Sequence, residues 1–402
     1  MSLPQQTAPA GWRAGLTRNV VILGLVSLFN DTASEMIYPL LPIFLTAILG
    51  AGPAAIGVIE GIAESTAAFL KLYSGYVSDR VKRRKGWIIA GYSISNIIRP
   101  LIAFAGSWLH VLGLRFSDRV GKGLRTSPRD AMIADSTPPE YRGAAYGFHR
   151  AMDHGGAILG PLLATGLLLV LHDKLETVFL LSFIPGTIAV AMLLAVKEKP
   201  SSAPRPAGKA GFSARSAWAE MPAGFRRYLL IILLFTLGNS TDAFLLIRAQ
   251  ALGVPVALLP TIWVALHVVK MGSSIPGGIL SDRIGRKRVI VAGWAVYALV
   301  YAGFAVANSH WHAWALFAVY GIYFGLTEGV EKALVADVAP AHLRGSAFGL
   351  YHLTVGLGAF PASLLFGLVW EKFGSGAAFG MGAGLALLAS VMLALLRMRK
   401  AE

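Results

Sequence analysis

The 402-residue chain has no cysteine, which excludes disulfides, thiolate metal sites and iron–sulfur clusters. Charge is scarce: 14% of residues are Asp, Glu, Lys or Arg, against about 25% in an ordinary soluble domain. Acids are scarcer still, 21 against 36 Lys and Arg, for a net charge of +15. There is no P-loop, because Gly121-Lys122-Gly123 lacks both the leading glycine and the hydroxyl residue of a nucleotide cradle. HExxH and GxSxG are missing too. With no nucleotide site and no hydrolytic nucleophile of a known pattern, an ion gradient is the expected energy source, with no cofactor.

Apolar residues are abundant instead: 55% of the chain is hydrophobic, with 45 glycines and a mean hydropathy of +0.61. One bilayer crossing takes about 20 mostly apolar residues. Apolar runs lie near 20–48, 54–78, 87–105, 110–134, 144–171, 177–196, 228–250, 256–281, 289–307, 311–334, 346–370 and 377–396. Twelve crossings leave no length for an appended catalytic domain, and an even number puts both termini on one side. The first 18 residues are polar and lead into a run too long for a signal peptide. With both termini inside, 26 of the 36 cations fall in cytoplasmic segments, 2 (Lys174 and Lys372) outside and 8 within spans. This bias predicts cytoplasmic termini and assigns the positive charge to orientation rather than to nucleic acid. Trp108, Trp311, Trp314 and Trp370 fall at the expected outer interface.

The halves repeat. Gly75-Tyr-Val-Ser-Asp79-Arg80 recurs as Gly278-Ile-Leu-Ser-Asp282-Arg283 after 203 residues. Ala134-Asp135…Pro138…Arg142-Gly143 recurs as Ala336-Asp337…Pro340…Arg344-Gly345 after 202. A Pro-, Ser- and Ala-rich basic stretch at 197–227 separates the copies and reads as a linker. The expected organisation is an amino-terminal six-helix bundle (1–196), a cytoplasmic linker (197–227) and a carboxy-terminal six-helix bundle (228–402). Parallel repeats of this kind build secondary transporters whose halves rock about a central site.

On these motifs the sequence resembles the major facilitator superfamily over essentially its whole length. Gly75, Asp79 and Arg80, with Gly278, Asp282 and Arg283, look like that family's signature between its second and third helices; the resemblance implies a cytoplasmic gate. The second copy keeps the inner glycine, Gly285, whereas the first has Lys82 there. Gly147, Gly156, Gly160 and Pro161 resemble the family's fifth-helix antiporter motif, with Ala164 and Thr165 in place of its closing glycine pair. The resemblance implies an all-α integral membrane protein of twelve helices in two pseudo-symmetric six-helix bundles, a proton-coupled antiporter in the cell (inner) membrane, expected to be a monomer.

A charge within a span costs about 2.5–3.5 kcal/mol on insertion scales and marks a cavity or relay. At 100° per residue, Asn30, Asp31, Ser34, Glu35 and Tyr38 share a sector of the first run. Asp31 and Glu35 lie deep, where burial and like charge both favour the protonated carboxyl. They are the expected proton-coupling pair, with Asp153 of the fifth run as a further candidate. The fourth run carries one stripe of Arg115, Asp118, Arg119, Lys122, Arg125 and Arg129. Arg115 stands 20 positions before Asp135, as an arginine does in the family, while Arg125 and Arg129 are expected to orient the helix. Glu64 on the second run and His149, Arg150 and His154 on the fifth add polar faces. In the second half Asn239, Asp242, His267, Tyr320, Tyr323 and His352 are expected to contact substrate, with Thr327 and Glu331 on the Tyr320 face.

The leading expectation is export of a small molecule, a drug or metabolite, in exchange for protons by alternating access. An organic-anion transporter is the alternative suggested by the arginine stripe, and a divalent-metal exporter another. His149 and His154, five residues apart, diverge on a helix, which weighs against metal. A membrane receptor or lipid-modifying enzyme would have little use for a gate on each half.

Overall fold

The computed structural model describes residues 11–51, 53–172, 174–198, 214–255 and 258–397. These are helical throughout their ordered elements, with no strand among the described residues. The crossings are α1 (Arg18–Glu35, resumed after a turn as helix over Leu41–Ile43 and Phe44–Ile48), α2 (Pro53–Val81), α3 (Lys85–Ile98), α4 (Trp108–Asp135), α5 (Arg142–Leu171) and α6 (Leu175–Leu193). The second bundle holds α7 (Ala223–Gly238, then Ala243–Ala251), α8 (Leu259–Ile284), α9 (Arg286–Val306) and α10 (His310–Val338). A continuous stretch, Arg344–Leu395, contains α11 (344–373) and α12 (375–395), divided at Gly374, whose φ of 84° suits only glycine.

Seven described helices are long and apolar enough to cross a membrane, one of them the α11–α12 stretch. The crossings outside that set, α1, α2, α4 and α8, carry charged or broken sequence. The packing is inverted relative to a soluble protein. Arg99, Arg115, Arg119, Arg125 and Arg129 are buried, whereas Leu169, Leu299, Val306 and Phe360 stand more than two-thirds exposed. This is an integral, multi-pass membrane protein.

Two crossings are discontinuous, and at matching places. The first run was expected to continue to residue 48 with kinks, but α1 stops at Glu35. Pro39 would clash with the Glu35 carbonyl and offers no N–H, so the chain turns before resuming at Leu41. α7 stops at Gly238, 203 positions later, and Asn239 is extended. The Tyr297 hydroxyl donates to the freed Gly238 carbonyl at 3.0 Å, the kind of substitute partner that a broken helix in hydrocarbon requires. α7 also starts at Ala223, inside the stretch expected as linker, and Ala214–Ala219 forms a short helix before it. Residues 199–213 of that stretch lie outside the described residues.

The turns after α2 and α8 share a left-handed residue. Gly285 has φ 102° and Lys82, 203 positions earlier, has φ 55°. The glycine missing from the first copy therefore does not abolish the turn; a lysine adopts the conformation at a cost of about 1–2 kcal/mol. Lys82→Gly should keep the fold and raise the thermal midpoint by roughly 1–2 °C, whereas Gly285→Ala should lower it. Melting curves of the purified variants in one detergent check this, and a lower midpoint for Lys82→Gly would show that side-chain contacts outweigh backbone strain.

Candidate functional site: a cationic cavity over a paired closure

The end of the molecule that carries Arg80–Lys85 and Arg283–Arg288 is here called the basic end. There the bundles are pinned by two copies of one arrangement. Asp79, at the foot of α2, accepts hydrogen bonds from the N–H groups of Gly345 (2.9 Å) and Ser346 (2.6 Å) and from the Ser346 hydroxyl (2.8 Å). Asp282, at the foot of α8, accepts from the N–H groups of Gly143 (2.9 Å) and Ala144 (2.8 Å). Each carboxylate thus faces the N-terminus of a helix in the other bundle, where free N–H groups and the helix dipole favour negative charge.

Ion pairs cross around these contacts. Arg344 reaches Asp135 at 2.6 Å and Arg142 reaches Asp337 at 2.7 Å. Arg84 bridges Asp79 (3.2 Å) and Asp135 (2.8 Å), and Arg286 bridges Asp282 and Asp337, the latter at 3.2 Å. Close approach depends on glycine. A Cβ on Gly75 would lie 2.0 Å from the Gly345 carbonyl oxygen, and one on Gly278 2.1 Å from that of Gly143.

The two aspartates lie where the repeat puts them, but the expected arginines do not join them. Arg80 stacks on the Tyr76 ring at 3.4 Å and pairs with Glu220 at 3.2 Å, and Arg283 is exposed. A residue adjacent to an aspartate on a helix points about 100° away from it. Arg84 and Arg286, one turn further on, can fold back over the carboxylates.

The α5 motif serves two contacts. Gly147 lies in the seam between bundles, where a Cβ would sit 2.4 Å from the Ser274 carbonyl oxygen of α8. Gly156 and Gly160 face α1: their Cβ atoms would come within 2.8 Å of Asp31 Cβ and 2.5 Å of Glu35 Cβ. These glycines make room for the backbone that bears the α1 carboxylates. α5 runs on through Pro161.

Those carboxylates line a cavity of roughly 420 Å³. Asp31, Glu35 and Tyr38 contribute from α1, Arg115, Asp118 and Arg119 from α4, Arg150 and Asp153 from α5, and His352 from α11. Asp118 anchors the cationic wall, with Arg99 Nε at 2.9 Å and Arg115 Nη1 at 3.6 Å. Both Arg115 and Arg119 lie over the Tyr38 ring, at 4.7 and 5.8 Å. Asp153 accepts from Arg150 at 2.8 Å and from the Ser27 hydroxyl, with His149 Nδ1 3.6 Å away. Asp31 accepts from Asn30 at 2.8 Å.

Several expected cavity residues lie elsewhere. Asn30 stands behind Asp31, its side-chain oxygen accepting from Arg99 at 3.0 Å, and His149 is wholly buried. Asn239, Asp242, His267, Tyr320 and Tyr323 do not line this cavity. Tyr320 donates to Asp242 at 2.7 Å and stacks with Tyr323 at 5.6 Å, within an aromatic core that includes Tyr297 and Tyr301. The Tyr320 face of α10 therefore turns into its own bundle. Glu331 on that face accepts from Trp294 Nε1 at 2.9 Å and from the Tyr351 hydroxyl at 2.7 Å. The side chain of Glu64 lies outside the described residues.

Other residues come into view only in three dimensions. Arg125 and Arg129, expected to orient α4, line the cavity with Lys71, Arg99, Lys122 and Lys332. Glu328 of α10 reaches His154 at 3.0 Å and Arg150 at 3.6 Å across the seam. The repeat offset could have flagged Lys332, which occupies the position matching Asp130. Among the described residues, no group of three His, Cys, Asp or Glu is placed to hold a metal ion.

The sequence matches the model of the Major Facilitator Superfamily over residues 23–269 and 228–402. The chain belongs to that family. It is 37% identical to an MFS-type transporter of Methanocaldococcus jannaschii, over 94% of each chain. It is 23% identical to the class E tetracycline resistance protein of Escherichia coli, covering 93% of this chain and 94% of the relative. Its fold matches the human organic anion transporter MFSD10 with a TM-score of 0.79 at 16% identity, over 96% of this chain and 100% of the other. The transporter FucP in its outward conformation matches with a TM-score of 0.78, also at 16% identity and the same coverage. The protein is thus a transporter of this family and not an enzyme.

Because the chain has no native cysteine, a single cysteine at Ala347, buried beneath the Asp79 contact, reports on closure of the basic end. Asp79→Asn removes charge-assisted hydrogen bonds worth about 1.5–3 kcal/mol. It should raise labelling of Ala347→Cys by a membrane-impermeant thiol reagent about tenfold, with membrane levels of the protein unchanged. An unaltered labelling rate would show that the contact does not hold the basic end closed.

Proposed function

We propose that the chain is a proton-coupled secondary transporter that moves a small organic anion by alternating access. Its basic end faces the cytoplasm of the cell (inner) membrane, in keeping with a distribution of cations that is still 23 to 2 once Lys122, Arg125 and Arg129 of the cavity are set aside. The observation that carries this reading is the composition of the cavity. Among the described residues, nine Lys and Arg side chains line it against four carboxylates, Asp31, Glu35, Asp118 and Asp153. Arginine forks suit carboxylate and phosphate groups. The contacts that Asp79, Asp282, Arg142 and Arg344 make between the bundles all lie at the basic end, which fits a state open to the outside. Asp79 and Asp282 are the gate in this reading.

Asp31 and Glu35 supply the coupling. An anion held by the cations and protons on these carboxylates each relieve the other's charge, so by linkage they bind together. A neutral or cationic substrate that competes for the carboxylates would instead be exchanged for protons. That second reading, export of a drug or metabolite, draws on the α5 glycines and on the tetracycline-resistance relative.

Flux of organic anions in proteoliposomes, with and without an imposed pH gradient, tests the proposal. Acid on the substrate side should accelerate uptake. Asp31→Asn should abolish the gradient-driven component, by tenfold or more, while leaving passive exchange largely intact, and Glu35→Gln should be milder. Flux indifferent to the gradient in wild type, or a gradient response surviving Asp31→Asn, would place the proton site elsewhere. Acceleration only when protons run against the substrate would favour exchange.

A further inference from the structure

α4 and α10 are counterparts in the repeat, and Asp130 and Lys332 are counterpart positions. They are 202 residues apart, the offset that also relates Asp135 to Asp337. The two side chains meet across the seam. Asp130 Oδ2 lies 3.0 Å from Lys332 Nζ and 2.9 Å from His352 Nε2, both in the second bundle. The other oxygen, Oδ1, is held by Arg129 of its own helix, with Nε at 3.2 Å and Nη2 at 3.0 Å. One carboxylate divides its oxygens between the two bundles.

The partners are unequal. Asp130 is fully buried and does not line the cavity, whereas Lys332, His352 and Arg129 do. When the basic end opens, Asp130 keeps Arg129. Lys332 does not fare as well: it is 1% exposed, and its ion pair among the described residues is with Asp130. Separation leaves a lysine charge in a low-dielectric wall, which is costly unless another anion meets it. A group within the cavity can reach the same two donors.

We infer that Lys332 and His352 form an anion subsite at the floor of the cavity, filled in this conformation by the chain's own Asp130 carboxylate. A carboxylate or phosphate group of the substrate takes the place of Asp130 as the bundles separate. The inference rests on the organic-anion reading of the cavity and adds a basis for selectivity. A neutral molecule can occupy the cavity, but it leaves Lys332 uncompensated in the opening step, so anions are selected in the conformational change as well as in binding.

The test uses the purified full-length protein in nanodiscs, with citrate and inorganic phosphate as probes and dissociation constants from calorimetry. Asp130→Asn vacates the subsite and should tighten binding of both probes about tenfold or more. Adding Lys332→Met should remove that gain. Equal affinities in wild type and Asp130→Asn, or a gain that survives Lys332→Met, would overturn the inference. Should Asp130→Asn fold poorly, the exchanged pair Asp130→Lys with Lys332→Asp keeps the contact but places the acid on the cavity wall. It should bind the probes at least tenfold more weakly than wild type, and undiminished binding would count against the subsite. Tightened binding in Asp130→Asn without anion flux in liposomes would sink the transport reading and leave the subsite standing. Anion flux with equal affinities would do the reverse.

Discussion

A charge inside a bilayer-spanning protein has to find its partner within the protein. That requirement organises this molecule more than any single packing contact. α4 carries a stripe of arginines that insertion energetics alone would disfavour. It is tolerated because Asp118 and Asp130 share its helix, Asn30 and the α1 carboxylates face it, and Tyr38 offers its ring to Arg115 and Arg119. The same requirement makes the closed end polar. Asp79 and Asp282 are stable where they are because helix N-termini and arginines meet them. Contacts so dependent on partners in the other bundle are broken only when replacements, such as water, a proton or a substrate group, are available.

Duplication supplies these partners in pairs. The ion pairs around the two aspartates come in twos: Arg344–Asp135 with Arg142–Asp337, and Arg84–Asp79 with Arg286–Asp282. Breaking one set therefore exposes a set of like composition, and the closure is balanced across the pseudo-twofold axis. The symmetry ends at the cavity. The first bundle supplies nearly all of its charged wall, while the second devotes Tyr297, Tyr301, Tyr320 and Tyr323 to its own core. A stacked aromatic core of this kind is hard to deform, which suits a bundle that moves as a body against a more polar one.

How much of this could be read in the sequence depended on whether a feature was local or shared between helices. The twelve crossings and the repeat are written in long runs and fixed offsets, and the equivalence of Asp79 and Asp282 follows from the offset alone. The α1 carboxylates were legible because Asp31 and Glu35 share a face of one helix. The face of α10 was misread. Periodicity groups Tyr320, Tyr323, Thr327 and Glu331 as readily as it groups Glu328 and Lys332, and nothing local says which group meets the other bundle. Arg80 and Arg283 were favoured by adjacency to the aspartates, while the left-handed turn that brings back Arg84 and Arg286 is a property of backbone geometry at Lys82 and Gly285.

The place where symmetry and asymmetry meet is the seam between α4 and α10. A duplicated chain brings identical positions face to face at its axis, and two like charges there would repel at about 3 Å in a low-dielectric medium. Asp130 and Lys332 resolve this by opposite charge. The divergence that lets the axis close also commits it: the first bundle keeps an arginine for its acid, and the second keeps no acid for its lysine among the described residues. A symmetric apolar contact would close as well and would demand nothing of the contents of the cavity. The charged one makes opening of the basic end sensitive to what lies above it, and in the anion reading that sensitivity is what ties substrate to movement.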